Sequence, residues 1–129
     1  MEYYFNKTLA NLSFDKVVDK TTQALKEEGF GILTEIDIKT TLKNKLDVDF
    51  PNYKILGACN PAFAHKALLA ENKIGTMLPC NVIVRETENG SIEVAAVDPI
   101  ASMTSVKNED LAEIADEVRD KLKRAVYSL

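Results

Sequence analysis

Cysteine has the widest chemical range of any side chain, serving as nucleophile, redox centre and soft-metal ligand, and this 129-residue chain has two of them. Each is followed by asparagine, and each sits where an apolar run meets a proline: Gly57-Ala58-Cys59-Asn60-Pro61 and Leu78-Pro79-Cys80-Asn81-Val82. Cys59 falls at a strand end just ahead of a helix N-terminus, where unpaired N–H groups stabilise a thiolate, a carboxylate or a phosphate. A small apolar side chain beside Gly57 and Ala58 is also what tight packing requires, so a functional thiol and a packed one both fit. Cys80 shares the parity of Val82 and Val84, which points it into the core. If the two segments converge, a disulfide, a shared metal or a ligand pocket follows. No CxxC or zinc-ribbon spacing is present to select among these.

Three other residues bear on the same locus. His65 is the only histidine; it reads as a surface residue beside Lys66, with a metal site shared with Cys59 or Cys80 as the sharper alternative. Asn60 has a structural role as an N-cap ahead of Pro61. Asn81 has no such role, because asparagine is depleted in strands, so its amide faces solvent, bonds a loop or contacts a ligand. The expected binding residues are therefore Cys59, Asn60, Cys80 and Asn81. A further polar grouping, Glu35 and Asp37 on one strand with Arg85 on another, would serve acid–base work or form plain cross-strand ion pairs.

The elements that must position these residues read as follows. Residues 2–8 form an aromatic strand. Ser13 caps a helix with Asp15 in its first turn, carrying Phe14, Val17, Val18, Ala24 and Leu25 at helical spacing until Gly29 stops it. Residues 31–38 alternate as a strand. Thr40 or Thr41 opens a short helix to about Leu46. Residues 53–59 are a third strand, and the helix after Pro61 runs to Glu71. Strands 80–87 and 91–98 flank Glu88-Asn89-Gly90, a hairpin signal. After a loop, Asn108 caps a long helix striped with Leu111, Ile114, Ala115, Val118, Leu122, Ala125 and Val126.

Five strands with a hairpin and long amphipathic helices near both ends predict an α+β domain. The expectation is a mostly antiparallel five-stranded sheet packed against two long and two short helices. The length suits a single domain, 1–129. With a net charge of −4 and 46% hydrophobic residues, the chain is not suited to a nucleic-acid groove. The densest basic group, Arg119, Lys121, Lys123 and Arg124, reads as a solvated helix face. No secretion signal or membrane-length apolar stretch is present, so a cytoplasmic protein with reduced thiols and no membrane partner is expected.

In combination, Glu28-Gly29-Phe30-Gly31-Ile32-Leu33-Thr34-Glu35-Ile36-Asp37, Tyr53-Lys54-Ile55-Leu56-Gly57-Ala58-Cys59-Asn60-Pro61, Leu78-Pro79-Cys80-Asn81-Val82 and Asp98-Pro99 resemble the domain of unknown function 302 family of bacterial and archaeal proteins. The resemblance covers essentially the whole chain. It implies a curved, TATA-binding-protein-like antiparallel sheet with helices on it, and a homodimer, but no DNA binding, since fold does not fix function. Its motif falls on Gly57, Cys59, Asn60, Pro61, Pro79, Cys80 and Asn81. No activity or cofactor comes with it. The expectation is a homodimeric module binding a small molecule or anion near the two Cys-Asn segments. A thiol-redox or metal-dependent enzyme using Cys59 and Cys80 is one alternative, and a protein-interaction module is the other.

Overall fold

Local signals in the chain account for most of the architecture seen in the computed structural model, which describes residues 2–129. Strand β1 (Tyr4–Leu9) leads to helix α1 (Phe14–Glu27), which opens at Ser13, whose hydroxyl accepts from the Lys16 N–H at 3.2 Å. The helix ends in a Schellman turn: Gly29 N–H donates to Lys26 O and Phe30 N–H to Leu25 O, with Gly29 at φ +88. Only glycine holds that φ without strain, and the turn buries Phe30 against Leu25's end of the helix. β2 (Gly31–Asp37) and α2 (Ile38–Leu46) then follow without a gap. The helix starts ahead of Thr40 because Asp37 ends the strand and also caps the helix, accepting from the Thr40 N–H at 3.0 Å.

β3 (Tyr53–Cys59) passes through Asn60 into α3 (Pro61–Ala70), and a 3-10 turn (Ile74–Met77) occupies what the sequence reads as a plain connector. β4 (Cys80–Glu86) and β5 (Ile92–Val97) form the hairpin. Thr87 N–H donates to Ser91 O, and Gly90 sits at φ +84, a turn that closes on a left-handed glycine. A four-residue helix α4 (Pro99–Ser102), absent from the sequence expectation, precedes α5 (Glu109–Tyr127). Among the described residues three short helices, one more than expected, stand beside the two long ones.

The sheet runs β1-β5-β4-β3-β2 and every pairing is antiparallel. The architecture is α+β, as expected, with the sheet open rather than closed. α1 and α5 cover one face. Between them and the sheet lies the main core, including Val17, Leu25, Leu56, Val82, Val84, Val94, Leu122 and Val126. A second, smaller cluster joins Ala67, Ile74 and Leu111, with Met77, Leu78 and Met103 packed against it. Helix α5 belongs to both: its first turns serve the small cluster, and its later turns serve the main one. Among the described residues no helix is long and apolar enough to cross a membrane.

Candidate functional site

A cavity of about 360 Å³ opens between the two clusters, beside Ile114, which packs against both. Its walls come from the ends of β3 and β4, from α3, from the 3-10 turn and from α5. Phe30, Ala58 and Val118 of the main core and Ala67, Leu78 and Met103 of the smaller cluster all line it. The space exists because the side chains that could fill it are short: Ala58, Ala64, Ala67, Gly75 and Ala115 all line it. Interiors otherwise pack to crystal density, so a hollow of this size is a built feature. Leu33 and Leu68, 67% and 44% exposed, mark its mouth. Leu33 is placed there by a β-bulge, an unpaired residue between Ile32 and Thr34 in the β2–β3 register.

Cys59, Asn60 and Cys80 all line this cavity. Ala58 pairs directly with Cys80, so Cys59 is one residue removed from it on the adjacent strand. Cys59 is partly exposed and Cys80 buried; both are free thiols. Burial pushes the Cys80 thiol up to about 11 from an ordinary 9.0, and the neighbouring Cys59 adds to the shift. Cys80 is therefore protonated at neutral pH and a poor nucleophile. Between pH 9 and 11 the unfolded chain ionises this thiol while the folded chain does not. Stability is full below that window and falls as pH rises through it. We expect Cys80→Ala to flatten the alkaline limb of a urea-midpoint profile, and iodoacetamide to modify Cys59 well before Cys80.

Asn60 occupies the N-cap position of α3 but makes no side-chain cap bond. Its Nδ2 instead donates to Glu28 O at 3.5 Å, tying α3 to the end of α1. Gly29 makes room for it: a Cβ there would lie 2.9 Å from that nitrogen. Asn81 goes elsewhere. It is an exposed residue that pairs with Gly57 on the opposite face of the sheet, and it lines a separate hollow with Tyr3, Tyr4, Tyr53 and Arg85. His65 is exposed on α3 and does not line the cavity, so it stands apart from the two thiols. Among the described residues no group of three or more His, Cys, Asp and Glu side chains could hold a metal ion.

The acidic and basic candidates resolve into structural pairs. Glu35 bonds Lys54 at 2.8 Å, which raises the Lys54 pKa through that hydrogen bond, against the opposing effect of burial. Arg85 bonds Glu93 at 2.6 Å on the other face of the sheet, so Glu35 and Arg85 form no common site. Burial pulls the Glu93 carboxyl up, but the hydrogen bonds from Asn6 and Arg85 outweigh it and hold the group below the usual carboxylate range. Nor are the α5 cations simply solvated. Arg119 bonds Asp98 at 3.2 Å, Arg124 bonds Glu28 at 3.1 Å, and Lys121 stands 6.0 Å from the Phe63 ring centre.

Two residues outside the expected site brace it through remote partners. The Asp98 carboxylate accepts from the Ile100 N–H at 3.0 Å and from Arg119, fixing α4 and α5 at the cavity wall. Asn108 accepts from the Asp110 N–H and donates Nδ2 to Ala70 O at 2.9 Å, joining the start of α5 to the end of α3. The Asp-Pro pair at 98–99 and the Asn108 cap are visible in sequence as stops and starts; their remote partners are not.

The family described as "Domain of unknown function DUF302" matches residues 5–129. Among solved structures, the chain is similar to an uncharacterized conserved DUF302 protein from Bacillus stearothermophilus, seen by crystallography, with TM-score 0.89 and 25% sequence identity. That likeness covers 98% of this chain and 97% of the other. No curated protein matches.

Proposed function

Since the chain belongs to the DUF302 family, whose description leaves function open, we propose from the geometry that it is a binding protein for a small, largely apolar molecule held in the cavity beside Cys59, Asn60 and Cys80. One observation carries this: a hollow of about 360 Å³ lined by apolar side chains, with Asn60 the lone side-chain amide and no charged side chain on its wall among the described residues. That volume lies in the range of ligand pockets, and an apolar cavity less than half as large holds a benzene-sized guest. A free inorganic anion suits such a wall poorly, because nothing on it replaces the lost hydration.

N-phenyl-naphthylamine, a neutral probe that fluoresces in apolar surroundings, tests the reading. Saturable one-to-one binding is expected, and Ala64→Phe and Ala115→Leu, which fill the space from two helices, should each abolish it without lowering the melting temperature. No saturable signal, or equal signal in both filled variants, would sink the pocket reading. The thiol-enzyme alternative has less support, given a Cys80 held protonated at neutral pH.

The homodimer rests on a different observation. On the sheet face away from α1 and α5, Ile36, Ile55, Ile83 and Ala95 lie side by side across successive strands in register. Ile36 is 45% exposed, and the row continues toward Tyr53 and Phe50, whose rings lie 6.2 Å apart. A second copy covering this face removes a contiguous apolar strip from water. Sedimentation at low micromolar concentration should give a dimer, and Ile83→Arg a monomer; a wild-type monomer would remove the proposal. A cytoplasmic setting, where thiols stay reduced, suits both readings.

A further inference from the structure

The rim of the cavity differs from its wall. Phe63 lines the cavity from the first turn of α3. Lys66, one turn further along that helix, places its ammonium 5.6 Å from the centre of the Phe63 ring. Lys121, one turn beyond the cavity-lining Val118 on α5, places its own at 6.0 Å from the same ring. Two cations from different helices thus converge on one aromatic edge of an otherwise uncharged pocket. Neither lysine forms an ion pair among the described residues, whereas the neighbouring Arg119 and Arg124 do. Each ring contact holds its ammonium near the cavity edge, so two positive charges stand there for an anion to meet. The α3 N-terminus lies in the same turn as Phe63, and its cap residue turns its side chain toward Glu28.

We propose that the molecule held in the cavity is a single-chain amphiphile with an anionic head: the apolar tail lies among the alanines, and the head rests between Lys66 and Lys121. This rests on the apolar-pocket reading and adds the head group to it. It also reconciles an uncharged wall with an anion: the charge never enters the cavity and stays at the solvent edge, where desolvation is slight. Two ammonium groups without carboxylate partners among the described residues give the rim a preference for an anionic head.

Displacement of N-phenyl-naphthylamine by three probes of equal tail, decanoate, decanol and decyltrimethylammonium, separates the claims at neutral pH. Decanoate and decanol should both displace the dye, and decyltrimethylammonium should do so far less well. In the Lys66→Gln/Lys121→Gln double variant decanoate should weaken about tenfold, decanol should not change, and the cationic probe should gain. Added salt should weaken decanoate alone. Lys66 is exposed and Lys121 half-buried, and an unchanged melting temperature checks that the fold tolerates the double change. Decanoate binding that ignores the double substitution, or equal displacement by all three heads, would overturn the head-group claim and leave the pocket standing. If the dye itself does not bind, the pocket reading fails and takes this inference with it.

Discussion

Gly57→Ala should destabilise the protein by about 2–3 kcal/mol, through forced overpacking at a point where three chain segments meet. A Cβ on Gly57 would lie 2.1 Å from Thr34 Oγ1 and 2.8 Å from Pro79 Cγ. Thr34 can relieve the first contact by changing rotamer, but the proline ring cannot move without its backbone. Gly57 is central in β3, paired with Thr34 on one side and Asn81 on the other, so the strand cannot shift to make room. The expected readout is a lower urea midpoint with an unchanged slope. Adding Thr34→Ala should recover part of the loss, and the remainder measures the Pro79 contact. A fully stable Gly57→Ala would mean the segment holding Pro79 is far softer than its packing implies.

Asp98→Ala should cost a similar amount, about 2–4 kcal/mol, because one substitution removes a helix cap and strands a cation. The carboxylate is buried and accepts from both Ile100 N–H and Arg119. Without it, Arg119 is left beside the Phe5 ring, 5.3 Å from its centre, with no counter-charge. Asp98→Asn keeps a cap acceptor and should lose only about half as much. In the Asp98→Ala/Arg119→Ala pair the losses should be clearly less than additive. Additive losses in urea titrations would show that the ion pair contributes nothing and that the cap alone matters.

Much of the architecture is legible in the chain because its punctuation is local. Gly29, Pro61, Asn89-Gly90 and Asn108 act within a few residues of themselves, and the α5 stripe repeats long enough to dominate its neighbours. What escapes is short or shared. Helix α4 spans four residues, too few for any periodicity, and Asp37 belongs to a strand and a cap at once. The site is half legible for the same kind of reason. The strand period of two already sets Asn81 on the face opposite Cys80, so grouping the two as one site overlooks an available signal. The cavity itself leaves no trace, since Ala58, Ala64, Ala67 and Ala115 look like ordinary helix and strand formers until folding sets them around one void. Nor does spacing reveal that Lys66 and Lys121, 55 positions apart, share a ring.

The division of the interior into two clusters bears on how anything enters. One side of the cavity is backed by the sheet, whose antiparallel ladders lock every strand to its neighbours. The opposite side rests on a smaller buried set, Ala67, Ile74 and Leu111, with the Asn108 bond to Ala70 and the Asn60 bond to Glu28 as its polar ties. Free energies of local opening track such differences in buried contact. Local opening is therefore expected on the α3 flank before the β-layer, and amide exchange in α3 should be faster than in β3 and β4. Entry and escape would then be timed by that flank and hardly at all by the global melting point.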